Sequence, residues 1–278
     1  MSEPMYEGYW NLSEKPFQVR RSGQNVFLSH SQQAAILRLK YCIENSCGLG
    51  LLLGPAGTGK STIIRCLASD NARFRPFVSV PYPSLKSSEM LRQIACELNP
   101  AESMNSPEFT GDDVMLRLIH QTVAKSSREG LHSVICFDDA HQLSDAAILH
   151  VVQPLLNLAD SNPNLSLSLL LAGQPVLSGS IRRHVQVNER VAVSAALQGF
   201  SFSETATYLE YCITSVGGRS GIFSPTAVRR LYDVTAGNPR RINRLCDMAL
   251  LVACAERVPE VSVSIIDAIS HELMPAAA

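Results

Sequence analysis

The stretch GPAGTGKS, residues 54–61, constrains the fold more than any other part of this chain. It fits the pattern G-x-x-x-x-G-K-S, follows the apolar run GLGLLLG at 48–54 and opens the helical pattern KSTIIRCLAS at 60–69. Glycines let such a loop curl so that its backbone N–H groups face phosphate oxygens, and the dipole of the following helix favours the same anion. The stretch therefore predicts a strand, a phosphate-binding loop and a helix, in that order.

The loop also predicts the ligands of ATP and Mg²⁺. Lys60 would reach the β- and γ-phosphates, and the hydroxyl of Ser61 would help to hold Mg²⁺. The predicted nucleotide-binding residues in this segment are Gly54, Pro55, Ala56, Gly57, Thr58, Gly59, Lys60, Ser61 and Thr62.

A second apolar run, SVICFDDAHQL at 133–143, ends in two adjacent aspartates. We expect Asp138 to order Mg²⁺ through its waters, and Asp139 to orient the attacking water. Many nucleotide-hydrolysing proteins have Glu at the second position, and Asp withdraws the carboxylate by roughly 1.5 Å. Misplacement on that scale can cost on the order of 10²-fold in rate. Hydrolysis is therefore expected to be slow unless the backbone restores the reach, and His141 is expected to be hydrogen-bonded locally rather than to act as a base.

Strand and helix patterns alternate over the first 200 residues. Apolar runs at 48–54, 76–82, 133–138 and 165–173 read as buried strands, and amphipathic stretches lie between them. This alternation predicts an α/β fold with a parallel sheet covered by helices on both faces. From about residue 200 the pattern contains four helices without a strand, which predicts an all-helical domain. We expect a core with an N-terminal arm at 1–199 and a helical lid at 200–278.

Composition excludes several other classes of protein. The net charge of −1 gives no global attraction to nucleic acid, and 46% hydrophobic residues suit a globular chain. The eight cysteines include no C-x-x-C pair, which favours reduced thiols over a zinc site or a disulfide framework. No secretory signal and no transmembrane segment is visible, so we expect a cytoplasmic protein.

Six stretches share a pattern with one family. They are YWNLSEKPF, VFLSHSQQAAILRLKYCIE, GPAGTGKST, ICFDDAHQL, LLLAGQPVL and GNPRRINRLCDMALLVA. Together, over about Tyr9 to Ala268, they resemble the AAA-type ATPases of the general secretion pathway protein A family, whose relatives include pilus-biogenesis and transposon target-selection ATPases. The resemblance implies a P-loop NTPase fold of AAA+ type, a helical lid and assembly into a homo-oligomer.

The resemblance also implies roles for residues outside the loop. Gln174 matches the sensor-1 residue, which would contact the γ-phosphate or the water, and Arg190 in NERV matches the finger that reaches a neighbouring subunit's nucleotide. Arg240 in GNPR matches the sensor-2 arginine, which binds the nucleotide from the lid, although Arg241 competes for this task. The predicted catalytic residues are then Lys60, Asp139, Gln174 and Arg190, with Ser61 and Asp138 as metal ligands.

Two interpretations of the N-terminal aromatic residues remain open. The resemblance suggests that Tyr9, Trp10 and Phe17 line an adenine pocket. Aromatic residues in such a segment more often pin an N-terminal arm to a core.

Two functional hypotheses follow. The first is an ATPase that couples ATP binding and slow hydrolysis to the assembly or remodelling of a secretion or pilus complex. The second is an ATP-gated, DNA-associated regulator of transposition that acts as a switch. The second is less favoured because no helix-turn-helix follows the lid and the chain is close to neutral. Several secretion relatives continue into a membrane span, whereas this sequence ends after the lid. We therefore expect any membrane association to be peripheral, at the inner membrane and through a partner.

Overall fold

The computed structural model describes residues 5–18, 26–81, 84–99 and 111–273. Contacts between Cα atoms divide the chain into two compact units. One unit is His30–Leu197, and the other combines the described parts of Met1–Ser29 and Gln198–Ala278. The helices are α1 (Glu7–Trp10), α2 (His30–Glu44), α3 (Lys60–Asp70), α4 (Ser87–Leu98), α5 (Asp112–Arg128), α6 (Asp145–Ala147), α7 (Gln153–Ser161), α8 (Val176–Arg183), α9 (Val185–Asn188), α10 (Phe202–Thr214), α11 (Pro225–Thr235), α12 (Pro239–Ala255) and α13 (Val263–Leu273).

A parallel sheet lies at the centre of the unit His30–Leu197. Its strands within the described residues are β1 (Leu49–Leu53), β2 (Phe77–Val80), β3 (Ser133–Phe137), β4 (Leu167–Gly173) and β5 (Val191–Ala196). Their order in the sheet is β2-β3-β4-β1-β5, and each neighbouring pair is parallel. The carboxyl ends of all these strands therefore lie at one edge of the sheet, and the loops after β1, β3 and β4 meet there. We call this the carboxyl edge, and the opposite one the amino edge.

Apolar side chains cover both faces of the sheet, as the strand pattern predicted. Successive residues of β3 alternate between the two faces. Ile135 and Phe137 join a large buried cluster with α4, α5 and α7, whereas Val134 and Cys136 join a second cluster with α2 and α3. This arrangement confirms the predicted α/β fold and holds the strand ends rigidly in register.

Helices α10–α13 form the second unit, and their caps follow the sequence. Ser201 accepts a hydrogen bond from Glu204 N while the Glu204 side chain accepts one from Ser201 N, which is the predicted capping box. Ser224 caps α11, with Pro225 in its first turn. The helical C-terminal region predicted from the sequence is thus present.

The N-terminal arm packs on this helical unit. Trp10 Nε1 donates to the carbonyl of Leu250 at 3.0 Å, the Tyr6 hydroxyl donates to the Asp247 carboxylate, and Phe17 meets Phe223 edge to face. The predicted grouping of the arm with the core, 1–199, therefore differs from the observed one. The physical reason is that the helical cluster offers these aromatic side chains a buried apolar environment together with acceptors for their polar groups.

Of the two interpretations of the aromatic residues, pinning is the one that the contacts support. Trp10 and Phe17 are both 5% exposed, inside the helical cluster. Tyr9 is more exposed, and its hydroxyl donates to the carbonyl of Val258 at 2.9 Å.

Candidate nucleotide site

The loop between β1 and α3 has the curled backbone that its sequence predicts. Gly59 has φ +97°, a left-handed conformation that favours glycine. A Cβ at this position would lie 2.6 Å from the Gln32 side-chain nitrogen, so the position also lacks room for a side chain. The Thr58 hydroxyl donates to the carbonyl of Pro55 at 2.9 Å, which closes the curl. The loop then runs directly into the N-terminus of α3.

Gln32 on α2 supports the loop, and sequence reasoning missed it. Its side chain is 4% exposed, and its Nε2 donates to the carbonyl of Thr58 at 3.0 Å. A signal was present in the sequence: Gln32 lies three residues before Ala35 and seven before Leu39, which are buried positions of the same helix. A glutamine in the apolar stripe of a helix indicates a buried hydrogen-bond partner.

Lys60, Ser61 and Asp138 meet at the carboxyl edge. The Lys60 ammonium donates to the carbonyls of Gly54 and Pro55 at 2.9 and 3.1 Å, so it lies within the loop. Ser61 Oγ donates to Asp138 Oδ2 at 2.6 Å. The structure thus brings together the two predicted metal ligands, which are far apart in sequence. A hydroxyl and a carboxylate are hard oxygen ligands, and Mg²⁺ commonly takes one or two such protein groups beside phosphate and water. The residues therefore fit this ion.

Asp139, His141 and Gln174 form a second group at the same edge. Asp139 has φ +50°, and its carboxylate is 53% exposed. Asp139 Oδ1 lies 3.8 Å from His141 Nδ1, and His141 Nε2 lies 3.0 Å from Gln174 Nε2. His141 was expected to be hydrogen-bonded locally, but its hydrogen-bond partner is Gln174, a predicted catalytic residue that lies 33 residues further along the chain.

Arg190 lies at the amino edge, immediately before β5, and its carbonyl accepts from Leu49 N at the start of β1. The five residues of β1 span about 16 Å, so the Arg190 side chain is out of reach of the loop in its own chain. Its guanidinium is engaged by other partners: Nε donates to Asp160 at 2.6 Å, Nη2 to Asn157 at 2.9 Å, and Nη1 to the Gln186 carbonyl at 2.9 Å. A role in catalysis would require a second chain.

Comparisons with known proteins agree with this architecture. Residues 43–180 match the family described as AAA domain. The chain contains an AAA domain. It is also 28% identical over 253 residues to general secretion pathway protein A of Aeromonas hydrophila, a match that covers 90% of this chain. The chain spans 45% of the length of that relative.

Solved structures show the same AAA+ fold. Cdc6p from Pyrobaculum aerophilum has a TM-score of 0.75 at 16% identity, and the match covers 95% of this chain and 72% of that one. The ORC2 protein of Aeropyrum pernix, solved as ADPNP–ADP complexes, has a TM-score of 0.69 at 15% identity, with coverage of 94% and 72%. The predicted P-loop fold of AAA+ type is thereby confirmed.

The AAA domain match ends at residue 180, before two of the predicted site residues. Arg190 follows it within the same compact unit, and Arg240 lies in the helical unit. Arg240 and Arg241 are both exposed in the first turn of α12, where Asn238 Oδ1 accepts from their backbone N–H groups at 3.1 and 3.3 Å. The finger role of Arg190 and the sensor-2 role of Arg240 stay predictions. Among the helices in the described ranges, none is long and apolar enough to cross a membrane.

Proposed function

We propose that this chain binds ATP with Mg²⁺ at the loop 54–61 and hydrolyses it slowly, and that this cycle drives the assembly or remodelling of a protein complex of the secretion or pilus type. The observation that carries the proposal is the 2.6 Å contact between Ser61 and Asp138 beside a curled loop that ends in Lys60. It joins a phosphate-binding backbone to a pair of oxygen ligands.

Each residue then has a defined task. Lys60 exchanges its loop carbonyls for phosphate oxygens, and Ser61 and Asp138 together hold Mg²⁺. Asp139 accepts a hydrogen bond from the attacking water and orients it, with a carboxylate one carbon shorter than that of Glu. Mg²⁺ held by Ser61 and Asp138 would draw negative charge away from the phosphate oxygens. Gln174 would read the γ-phosphate or the water through its amide.

Assembly with other copies and a peripheral location complete the proposal. Arg190 at the amino edge can act only on the nucleotide of another copy, which supports a homo-oligomer. The relation to general secretion pathway protein A supports a cytoplasmic location at the inner membrane, reached through a protein partner.

The direct test is ATP binding and turnover by the wild type and by Lys60→Ala and Ser61→Ala variants. We expect Lys60→Ala to lose ATP binding, because the loop then carries no fixed cation. Ser61→Ala should still bind ATP in EDTA but should lose the Mg²⁺-dependent part of the ATP affinity. Ser69→Ala is the matched control, since Ser69 Oγ donates only to carbonyls of its own helix, those of Arg65 and Cys66. Wild-type turnover no higher than that of Lys60→Ala would refute the proposal.

The alternative is an ATP-gated switch that acts on DNA. It is favoured by the exposed residues Arg240, Arg241 and Arg244 at the start of α12, and one structural neighbour, ORC1 of Aeropyrum pernix, was solved in complex with DNA. Binding of a DNA duplex that weakens steeply with salt would support it. A titration with the duplex that shows no binding would refute this alternative.

A further inference from the structure

The imidazole of His141 stands between two of the predicted catalytic residues. Its Nε2 lies 3.0 Å from the amide nitrogen of Gln174, and its Nδ1 lies 3.8 Å from Asp139 Oδ1. The side chain is 15% exposed. One short turn, Ala140–Gln142, carries the ring from the end of β3 towards the end of β4. The ring therefore links the carboxylate of Asp139 to the amide of Gln174.

With the Gln174 amide oriented as in this structure, its Nε2 faces the His141 ring, and this contact indicates which ring nitrogen carries the proton. An amide nitrogen only donates, so His141 Nε2 accepts, and a neutral ring then has its proton on Nδ1. This Nδ1 is buried and has no hydrogen-bond partner among the residues that the structure describes. A buried donor without a partner destabilises the folded state, because it has lost its hydrogen bonds to water. Such a group at a catalytic edge calls for an acceptor.

The nearest carboxylate belongs to Asp139. The separation of 3.8 Å exceeds an N–H···O hydrogen bond by roughly 0.8 Å, a gap that rotation of a half-exposed carboxylate can close. The backbone of Asp139 is already fixed, since its N–H donates to Asp138 Oδ1 at 2.9 Å. What remains to be set is the direction of its side chain.

We propose that His141 is a positioning residue whose Nδ1–H orients the Asp139 carboxylate towards the attacking water, while Gln174 holds the ring in the required tautomer. This inference rests on the proposed ATP hydrolysis. It offers a reason why Asp serves where Glu is usual: a short carboxylate held in one direction loses less to misorientation than a free one.

The packing around the ring supports a fixed position. A Cβ at Gly173 would lie 2.9 Å from His141 N and 3.3 Å from His141 Cβ, so the turn is pressed against the end of β4. The carbonyl of Gly173 also accepts from Gly54 N at 3.0 Å, at the start of the phosphate loop. The ring is thus held on the same strand end that the loop contacts.

Two substitutions distinguish the roles of the two ring nitrogens of His141. The amide nitrogen of Asn stands the same number of bonds from Cα as Nδ1, and that of Gln the same number as Nε2. We expect His141→Asn to keep turnover within about threefold of the wild type, and His141→Gln to lower kcat by about tenfold or more, with ATP affinity unchanged in both. Equal losses in the two variants would overturn the proposal, because a merely structural role for the ring predicts no such preference.

Two further measurements close the test. Nitrogen-15 shifts of the His141 ring, assigned by comparison with His141→Asn, should show the proton on Nδ1; a proton on Nε2 would contradict the proposal whatever the activity. In a double-mutant cycle, His141→Gln should cost less in the Asp139→Glu background than in the wild type, and additive effects would count against it. If the wild type hydrolyses ATP and these tests fail, only the role of His141 is lost. If the wild type shows no turnover, both proposals fall.

Discussion

The two edges of the sheet hold their functional side chains in opposite ways. At the carboxyl edge, Asp139 is half exposed and the Nδ1 of His141 has no hydrogen-bond partner within the described part of the chain, so these two residues have hydrogen-bonding capacity left. At the amino edge, three guanidinium nitrogens of Arg190 are each engaged by Asp160, Asn157 or Gln186. The difference suggests that Asp139 and His141 can accept a new hydrogen-bond partner with little rearrangement, whereas Arg190 must exchange partners before it can contact another copy.

The largest expected effect concerns Asp138, the proposed metal ligand at the carboxyl edge. Asp138→Asn keeps the shape of the residue but removes the charge next to Ser61, so turnover at saturating Mg²⁺ should fall by about 10³-fold or more. ATP binding in EDTA should change little. Steady-state hydrolysis over a Mg²⁺ titration measures this, and a variant with normal turnover would disprove the metal role.

The next effect probes the amino edge. Arg190→Ala should lower turnover by about 10²-fold or more if the residue stabilises charge on a neighbour's nucleotide. Mixing Arg190→Ala with Lys60→Ala should restore activity, since each variant supplies what the other lacks. If the mixture stays inactive, Arg190 serves the fold and not a shared site.

A smaller effect, an increase in kcat, is expected from a substitution at Asp139. Asp139→Glu extends the carboxylate by roughly 1.5 Å, the length of one carbon–carbon bond, and should raise kcat by about tenfold. Single-turnover hydrolysis separates this gain from any change in product release. An unchanged or lower rate would mean that the short carboxylate does not limit the reaction.

The contacts that hold the Arg190 side chain within its own chain can be weakened by substitution. Asp160→Ala removes the carboxylate that pairs with Arg190 Nε at 2.6 Å and should raise turnover about two- to threefold at limiting protein concentration, because less has to be broken on assembly. Asp145→Ala is the control, since it removes a carboxylate that pairs with Arg183 and His184 and not with Arg190. Equal behaviour of the two variants would show that the Asp160 contact does not restrain the finger.

A separate effect, on stability and not on turnover, is expected at the amino edge. Burial lowers the pKa of His132 to about 4, and its Nε2 lies 2.9 Å from the Ser168 hydroxyl. The unfolded chain protonates this ring near pH 6.5, so the free energy of unfolding should fall as pH drops from 6.5 towards 4, by about 3 kcal/mol. In denaturant unfolding experiments, the free energy of unfolding of His132→Gln should not fall in this way between pH 6.5 and 4. A slope equal to that of the wild type would exclude His132 as its source.

The strands with continuous apolar runs could be predicted closely from the sequence. The run at 133–138 became β3, Ser133–Phe137, and the run at 165–173 became β4, Leu167–Gly173. Strand β5 was missed because it lies at the side of the sheet, next to β1 alone, and every second residue along it is exposed. A short strand with one neighbour has little apolar signal to detect.

The site was predicted as a set of separate residues, and the structure joined some of them. The pairing of Ser61 with Asp138 followed from motif spacing, because both residues come after strands of one parallel sheet. The bond between His141 and Gln174 could not be predicted, since it depends on β3 and β4 being neighbours in the sheet. Likewise, the engagement of Arg190 by α7 depends on tertiary packing that no local pattern records.

The hydrogen bond from Gln32 to the carbonyl of Thr58 bears on how nucleotide affinity should change with salt concentration. An amide and a carbonyl are both neutral, so Debye screening acts weakly on the bond that shapes the loop. The empty loop should therefore keep its form from dilute buffer to molar salt. Any weakening of nucleotide affinity with ionic strength would then report the charged contacts made with the nucleotide and not a change in the loop.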